Sequence, residues 1–425
     1  MKQQIVSTQN APWRKAFLNT AKVGEELIIG DVIGKPLYGF GCCISELCVA
    51  EIRSLPAEKQ TQIFDELFGE EGCGFRFCRL SVGANDFAKS WYSYNECEGD
   101  YAMEHFSIDR DRKYIIPAIK EAQQRSPHLR FFASPWSPPT WMKYPPVYNY
   151  GHLIQTEENL RAYALYFKKY VEAYAEEGIE IAQIHVQNEI HADQKFPSCV
   201  WNDGASLGNF MVNYLAPALE GKAEVWFGTV NGPEKQTATR HRQFLLQAMQ
   251  VEGFRDIVGG AAYQWAGKFG ITQAAEDFPD LPVFNSEMEC GNGENTWEYA
   301  MYTYENMHHY FKYGARACTY WNMALNAQSP TSTWGWYQNS LILVDGDDYR
   351  YTPEFYLVKH FAHFVKEGAV MLGTKGGFSS NATVFQNPDG SRVAVLMNPF
   401  DFEKVITIEG ENYVLEPNSF NTVLL

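Results

Sequence analysis

The sequence predicts a (β/α)8 TIM barrel of the α/β class, with an antiparallel β-sandwich attached to it. Three observations carry this prediction: eight short apolar runs of strand type, segments of helical periodicity between them, and a change of pattern after about residue 350. Parallel strands that alternate with helices are typical of such a barrel. We expect residues 31–350 to form the barrel, and residues 1–30 and 351–425 to form the sandwich.

The eight apolar runs have the composition of strands that are covered on both faces. Each run is short and ends in polar or turn residues, as expected for a buried parallel strand. In chain order the runs span 37–45, 74–82, 129–137, 181–189, 224–231, 258–265, 281–289 and 315–325.

Helix-like segments lie between these runs. In the segment 156–178, Leu160, Tyr163, Ala164 and Phe167 follow the spacing i, i+3, i+4, i+7, which places them on one helical face. A doubly wound open sheet is the alternative architecture. It usually has a glycine-rich phosphate loop after an early strand, whereas the stretch GEEGCG (69–74) precedes a strand.

The last part of the chain has a different sequence pattern. After residue 350, short strand-like segments are separated by Asn-Pro-Asp-Gly, Asn-Pro and Gly-Glu-Asn turns, and helical periodicity is lost. This pattern predicts an antiparallel β module. The extended N-terminal residues up to about 30 are expected to add a strand to it.

Charge and composition restrict the classes of partner that the protein can bind and the cellular compartment in which we expect it. The net charge of −16 argues against nucleic acid and against anionic membranes, both of which require basic surfaces. The nine cysteines form no CxxC pair with metal-ligand spacing, so we expect no zinc site. We also expect no other metal and no cofactor. Free thiols and the lack of an apolar leader predict a cytoplasmic protein, or a secreted one if a signal has been removed. We expect no membrane insertion, because no apolar run reaches transmembrane length.

The candidate site residues stand where the predicted strands end. Active sites of (β/α)8 barrels gather at the carboxyl ends of the strands. The residues at or just beyond those ends are Arg79 and Asp86, Trp136, Asn188 and Glu189, Tyr263 and Trp265, Glu287 and Glu289, and Trp321. Carboxylates and indoles without a metal-ligand cluster suit a sugar, whose glycosidic bond needs acids and whose ring has an apolar side.

Glycoside hydrolysis uses two carboxyl groups with different roles. One is protonated and donates to the leaving oxygen, and the other is ionised. Glu189 and Glu287 are the candidates, and Asn188 is placed to hydrogen-bond a ring hydroxyl. Glu289 competes with Glu287, because strand periodicity points both side chains the same way. We choose Glu287, which is nearer the end of the apolar run.

Five separated motifs carry a family resemblance. The stretches SPWSPPTWMK, VQNE, NSEMECG, YWNMALN and LILVDGDDYRYTPEFYLVKHFAHFVKEG occur in this order, and the similarity runs from GFGCCISE to the C-terminus. Together they resemble glycoside hydrolase family 30, the family of lysosomal-type glucosylceramidase. The resemblance implies a retaining β-glycosidase with a (β/α)8 barrel and a β-sandwich.

The resemblance also implies roles for individual residues. Glu189 matches the acid/base, Glu287 the nucleophile, and Asp86 an aspartate that holds distal glucose hydroxyls. Trp136, Asn188 and Trp321 match further sugar contacts, and Arg79 is taken as a supporting residue. The family commonly has a tyrosine at the end of strand 6 that hydrogen-bonds the nucleophile. Here Trp265 stands in that register, with Tyr263 two positions earlier on the same face, so either the register shifts or another group orients Glu287. We expect both Tyr263 and Trp265 to contact the substrate.

The expected activity is hydrolysis of β-D-glucosides, either glucosylceramide-like or small and soluble, through a covalent glycosyl-enzyme. The expected partner is therefore a carbohydrate substrate. Relatives that cleave β-xylosides, β-fucosides, β-1,6-glucans or β-1,6-galactans provide the alternative substrates. A carbohydrate-binding protein on a degenerate barrel is the alternative of another class, and loss of either glutamate would have been its signature. A metal-dependent barrel hydrolase is disfavoured by the missing ligand cluster.

Overall fold

Eight parallel strands close into a barrel in the computed structural model, which describes residues 3–16, 22–231 and 243–425. We number the barrel strands 1 to 8 in chain order. They are Gly39–Cys43, Phe77–Val82, Arg130–Pro135, Ile181–His185, Glu224–Val230, Val258–Gln264, Val283–Glu287 and Ala315–Asn322. Strand 8 pairs with strand 1 and closes the ring. Each strand lies inside one of the eight predicted runs, so the predicted barrel is confirmed.

Helices surround the barrel, and several begin at a threonine. Thr156, Thr296 and Thr352 each accept a hydrogen bond from the backbone N–H three residues later, at 3.3 Å, which satisfies a helix-end donor. The α-helices are Glu46–Ser54, Ala57–Phe68, Asp109–Tyr114, Ile116–Arg125, Glu157–Glu176, Gly204–Phe210, Ala216–Leu219, 243–248, Phe254–Ile257, Lys268–Asp277, Trp297–Lys312 and Pro353–Ala362. Shorter helical turns are Thr140–Met142, Met211–Leu215, Trp265–Gly267 and Ser379–Asn381.

The amino-terminal part of the barrel interior is filled by rings. Phe77, Phe132, Trp226 and Phe284 form one buried cluster, and ring centroids within it are 5.0–5.7 Å apart where neighbouring pairs touch. His185 stacks flat on Trp226 at 5.4 Å. Burial lowers the pKa of His185 well below its ordinary value, so this histidine is a neutral part of the core. The apolar plug closes the amino-terminal part of the barrel interior, so within the described residues a ligand reaches the interior from the carboxyl-terminal end.

The β-sandwich module combines the two ends of the chain. Its nine strands are Gln4–Thr8, Ala11–Ala16, Glu25–Val32, Val370–Lys375, Ala382–Gln386, Arg392–Asn398, Lys404–Ile408, Glu411–Leu415 and Ser419–Leu424. Strand Gln4–Thr8 pairs antiparallel with Ser419–Leu424, and Glu25–Val32 pairs with Val370–Lys375. The N-terminal strands therefore belong to the same sheet as the C-terminal ones. Short strands elsewhere are Lys143–Tyr144, His152–Leu153, Ala324–Asn326, Ile342–Asp345 and Asp348–Tyr351.

Two helices join the sandwich to the barrel. In helix Trp297–Lys312, Tyr304 donates a hydrogen bond to the Val395 carbonyl at 3.0 Å. In helix Pro353–Ala362, buried His360 contacts Thr422 Oγ1 and Ser7 Oγ at 2.8 Å each. Helix Pro353–Ala362 lies beyond residue 350, in the part of the chain that we expected to form the sandwich. The division of the chain into domains at residues 30 and 350 stays a prediction.

Within the described part of the chain, no helix is both long and apolar enough to span a bilayer.

Phe284→Ala tests the aromatic plug. Phe284 is fully buried against five other rings, so its truncation leaves a cavity that the closed barrel cannot collapse around. We expect the free energy of unfolding to fall by about 3–5 kcal/mol, measured by denaturant titration. Phe402→Ala is the matched control, because Phe402 is 54% exposed and its loss should change stability by less than about 0.5 kcal/mol. Equal losses in both variants would contradict the packing role of Phe284.

Candidate active site

One cavity of about 580 Å³ opens at the carboxyl end of the barrel. This volume is within the range of small-molecule sites. Seven of the residues expected from the sequence line it: Asp86, Trp136, Asn188, Glu189, Trp265, Glu287 and Trp321. Strands that are distant along the chain thus deliver these side chains to one place, as the geometry of a (β/α)8 barrel requires.

Arg79 lies beneath the cavity and organises its floor. The side chain projects from barrel strand 2 and is completely buried. Its Nη1 donates to Glu287 Oε2, and its Nη2 donates to Asn188 Oδ1 at 2.7 Å and to Ser134 Oγ at 2.8 Å. A buried guanidinium needs this many partners, because an unpaired charge in the interior is costly. Arg79 is therefore a support for the nucleophile candidate and for Asn188.

Two indoles cover the guanidinium of Arg79. The guanidinium carbon lies 4.6 Å from the ring centroid of Trp136 and 5.4 Å from that of Trp321. The two indoles stack on each other at 5.4 Å with an interplanar angle of 28°. Cation–π attraction of this kind is strongest when water is excluded. The same rings line the cavity, so they shield Arg79 from water and present aromatic surface to a ligand.

Glu287 ends barrel strand 7 and faces the cavity. Burial raises the pKa of its carboxyl group, the positive charge of Arg79 opposes this shift, and the charges of Glu189 and Asp86 add to it. The two glutamates are therefore close enough to influence each other. Glu287 is also the carboxyl that Arg79 touches directly, so negative charge in the cavity is best accommodated there.

Glu189 lies four residues beyond the end of barrel strand 4 and has a different environment. Asn231 Nδ2 donates to its Oε1 at 3.1 Å, and Gln194 Nε2 donates to its Oε2 at 3.4 Å. Burial raises the pKa of Glu189, and the hydrogen bonds from these neutral amides and the more distant charge of Arg79 only partly oppose the shift. The backbone of Glu189 has φ 48°, an uncommon left-handed conformation for glutamate that turns the chain sharply after the strand.

Asn188 has a fixed amide orientation. Its Oδ1 accepts hydrogen bonds from Arg79 Nη2 at 2.7 Å, from Gln264 Nε2 at 2.7 Å and from Thr229 Oγ1 at 3.2 Å. Arginine can only donate, so the oxygen must face it and the NH₂ group must face away. Asn188 lines the cavity, and its amide donor is therefore available to an oxygen of a ligand.

Asp86 supplies a third buried carboxyl group. Burial raises its pKa to about 7, and the charge of Glu189 contributes to this rise. The loop that carries it is held by Thr333, whose backbone N–H and Oγ1 both donate to the Asp86 carbonyl, at 3.1 and 3.0 Å. A carboxyl at the cavity wall can accept from, or donate to, the vicinal hydroxyls of a sugar.

Two residues that the sequence suggested, Tyr263 and Glu289, are not part of the cavity lining. The expectation that Tyr263 contacts a ligand is wrong. Its side chain is 1% exposed and belongs to the core cluster that also contains helix residue Ile271. Side chains alternate along barrel strand 6, so inward-facing Ala262 and Gln264 leave Tyr263 on the outer face. Glu289, the competitor of Glu287, is half-buried and outside the cavity lining.

Sequence reasoning did not identify Gln264 as a site residue, nor several loop residues that line the cavity. Gln264 donates to Asn188 Oδ1 and, at 2.9 Å, to Thr229 Oγ1, and its Cα pairs with that of Glu287 across strands 6 and 7. Period-two alternation from Ala262 could have revealed Gln264. The other missed residues that line the cavity include Gln194, Asn231, Gln338 and Trp336, which follow strands 4, 5 and 8 in loops without a pattern. Among the described residues no group of His, Cys, Asp or Glu could hold a metal ion.

A closed barrel whose cavity is lined by two buried glutamates and two stacked indoles is typical of the class of barrel enzymes that hydrolyse glycosides. Matches to two family models identify the family within this class. The glycosyl hydrolase family 30 TIM-barrel domain matches residues 37–365, and the family 30 beta sandwich domain matches residues 368–423. The chain belongs to glycoside hydrolase family 30 and is a glycosidase of that family.

Curated relatives agree with this assignment, and a solved structure shares the fold. Putative glucosylceramidase 4 of Caenorhabditis elegans is 26% identical, over 98% of this chain and 85% of the relative. Lysosomal acid glucosylceramidase of Mus musculus is 25% identical over 87% and 76% of the two chains, and an endo-1,6-beta-D-glucanase of Trichoderma harzianum is 25% identical over 86% and 78%. The crystal structure of SrfJ from Salmonella typhimurium has a TM-score of 0.88 at 24% identity, covering 100% and 99% of the two chains.

Proposed function

We propose that the protein is a retaining β-glycosidase that hydrolyses β-D-glucosides, with Glu287 as the nucleophile and Glu189 as the acid/base. One observation carries the assignment: of the two glutamates, Glu287 is in direct contact with a buried arginine, whereas Glu189 is held by neutral amides. Two carboxyls in one poorly hydrated cavity do not readily both ionise, so the charge resides beside Arg79 and the proton resides on Glu189.

The catalytic cycle follows from these two protonation states. The ionised Glu287 carboxylate attacks the anomeric carbon, and the bond from that carbon to the leaving oxygen breaks as Glu189 donates its proton to this oxygen. Glu189, now ionised, takes a proton from water, and the water oxygen attacks the anomeric carbon and displaces Glu287. Both glutamates then regain their starting states, and no cofactor takes part in the cycle.

Asn188 and Asp86 support binding of a glucose ring in this scheme. The Asn188 amide donor lies next to the acid/base in sequence, where it can bind the hydroxyl adjacent to the anomeric carbon. A hydrogen bond there strengthens as oxocarbenium character develops in the transition state. The relatives favour glucose as the sugar, because glucosylceramidase and endo-1,6-beta-D-glucanase are both named for glucose-containing substrates.

The cysteines support a reducing compartment, and we propose the cytoplasm. All nine are free thiols, and eight of them are buried. Adjacent Cys42 and Cys43 are both in barrel strand 1, where burial raises the pKa of each thiol well above its ordinary value. Thiols that remain protonated and buried are unreactive and need no oxidising environment.

Glu287→Gln should abolish formation of the glycosyl-enzyme. Turnover of an aryl β-D-glucoside is expected to fall by several orders of magnitude, because an amide cannot replace the carboxylate as a nucleophile. Glu289→Gln is the matched control and should reduce turnover by less than about tenfold. A result in which Glu289→Gln is inactive and Glu287→Gln retains a tenth of turnover would reverse the assignment.

Glu189→Gln should reduce activity far more on substrates with poor leaving groups than on substrates with good ones. Substrates with alkyl leaving groups need proton donation and should lose kcat/KM severely, whereas 2,4-dinitrophenyl glucoside should retain most of its kcat/KM. Because the proton of Glu189 is lost as pH rises, the variant should also lose the alkaline limb of the pH profile of kcat/KM. Steady-state kinetics on both substrates measures the effect, and equal losses on the two would mean that Glu189 is structural.

The stereochemical course tests the covalent intermediate. A double displacement through Glu287 inverts the anomeric carbon twice, so hydrolysis of an aryl β-D-glucoside should release the β-anomer first. Proton NMR recorded during rapid hydrolysis distinguishes the anomers, and the α-anomer should grow in only by mutarotation. The α-anomer as the first product would show direct attack by water and would remove the nucleophilic role of Glu287.

A further inference from the structure

We propose that the ion pair between Glu46 and Arg110 positions Asp86 for the hydroxyl groups of the bound sugar. Glu46 begins the helix that follows barrel strand 1, and Arg110 is in the helix Asp109–Tyr114, which follows strand 2. Neither side chain is part of the cavity lining. The inference rests on the proposed function, in which Asp86 binds the sugar, and it adds two positioning residues that act on the substrate through Asp86.

Asp86 lies in residues 83–92, which we call the Asp86 loop. These residues form neither helix nor strand. The Ala84 N–H donates to the Tyr92 carbonyl at 3.0 Å, so the two ends of the loop are joined. The Asp86 side chain reaches the cavity from this loop and is 4% exposed. A binding group must be held to within about 0.5 Å, so contacts from outside the loop have to fix its backbone.

The start of the helix after strand 1 holds the part of the loop that directly follows Asp86. Glu46 Oε2 accepts a hydrogen bond from the Lys89 backbone N–H at 2.8 Å. The next residue of the helix, Leu47, donates its N–H to the Phe87 carbonyl at 2.9 Å. Any movement of this helix start relative to the loop therefore moves the backbone at Asp86.

Arg110 joins the Glu46 carboxylate to the far end of the loop. Its Nε donates to Glu46 Oε1 at 2.6 Å and its Nη2 to Glu46 Oε2 at 2.8 Å, a two-point contact that fixes the orientation of both side chains. The same guanidinium donates to Ser90 Oγ and to the Ser90 carbonyl, both at 2.9 Å. Its carbon lies 4.1 Å from the ring centroid of Tyr92. One guanidinium therefore links the helix of Glu46 to the end of the Asp86 loop.

A second anchor acts on Asp86 itself. Thr333, in the loop after strand 8, donates both its backbone N–H and its Oγ1 to the Asp86 carbonyl. Together the two anchors fix the backbone at Asp86 and immediately after it, so the carboxyl group is presented to the cavity in one position. A displacement of about 1 Å in a group that positions the substrate lowers the rate substantially.

The burial of Glu46 makes the loop sensitive to the loss of Arg110. The side chain of Glu46 is 3% exposed, against 25% for Arg110. Without Arg110, a buried carboxylate loses both of its charged hydrogen bonds, and such a group must gain water or move. Either change displaces the loop at Lys89, and we expect Asp86 to be displaced with it.

A double-mutant cycle tests whether Arg110 acts through Asp86. Arg110→Met should lower kcat/KM for 4-nitrophenyl β-D-glucoside by about tenfold in the wild-type background and by less than about twofold in the Asp86→Ala background. The second factor is small because displacement of the loop has no further effect on binding once the carboxyl group is gone. Equal factors in the two backgrounds would overturn the inference and would leave the ion pair with a role in folding alone.

Deoxy substrates provide the same test without a second mutation. The substrates are 4-nitrophenyl β-D-glucosides that lack the hydroxyl at carbon 4 or at carbon 6, the hydroxyls far from the anomeric carbon. For at least one of them, Arg110→Met should lower kcat/KM by less than about twofold, because the contact with Asp86 is already missing. An identical loss on all the glucosides would contradict the inference.

Glu121→Gln is the matched control. Glu121 accepts a hydrogen bond at 2.6 Å from Arg53, which lies on the same helix as Glu46, and this ion pair joins that helix to Ile116–Arg125 instead of to the Asp86 loop. The variant should keep kcat/KM within about twofold of the wild-type value. Thermal denaturation of each variant verifies folding.

Arg110→Lys replaces Arg110→Met in the cycle if the methionine variant does not fold. Lysine keeps the positive charge but lacks the fork that reaches Glu46 and Ser90 together. We expect a loss of about threefold in kcat/KM that is again absent in the Asp86→Ala background. The same loss in both backgrounds would overturn the inference here too.

The outcomes separate this inference from the proposed function. Equal losses from Arg110→Met with and without Asp86 contradict the inference alone. An unchanged kcat/KM in Asp86→Ala would contradict the sugar contact assigned to Asp86, and the inference would fall with it, while the roles of the two glutamates would stand. Failure of the wild-type protein to hydrolyse the glucoside would contradict the proposed glucosidase activity itself.

Discussion

The contact between Arg79 and Glu287 is the constraint on which the rest of the site depends. Both side chains lie at the centre of the barrel mouth, where removal of each charge from water costs several kcal/mol. Attraction between the two charges offsets this cost only if the remaining guanidinium N–H groups are also bonded. The architecture of the cavity floor follows from that requirement.

The floor satisfies the requirement with a continuous polar network. Neighbouring strands 2 to 7 each contribute a side chain to it, directly or through the turn that follows the strand. These residues are Arg79, Ser134, Asn188, Thr229, Gln264 and Glu287. A network that spans six strands holds Glu287 and the amide of Asn188 in one geometry, as preorganised electrostatic catalysis requires. The aromatic plug below and the stacked indoles above keep water from competing for these bonds.

The same contact gives the two glutamates different surroundings. Burial in the shared cavity raises the pKa of both carboxyl groups, and the charge of Arg79 opposes this rise in both. In the proposed assignment, the direct contact with Arg79 keeps Glu287 charged. In the proposed function, the distinction between acid and nucleophile therefore originates in the contact that only one of the two glutamates makes with Arg79.

The sequence by itself determined the barrel, the sandwich and the identity of the candidate glutamates, because buried strands leave apolar runs and polar residues stand out at their ends. It could not determine the partners of Arg79, since these lie on five other strands and no local pattern links them. It also misplaced Tyr263. The expectation extended strand alternation to Trp265, whereas the strand ends at Gln264 and Trp265 begins a helical turn. Only the tertiary structure decided which side chain faces inward there, because closure of the barrel and the register of neighbouring strands set that direction.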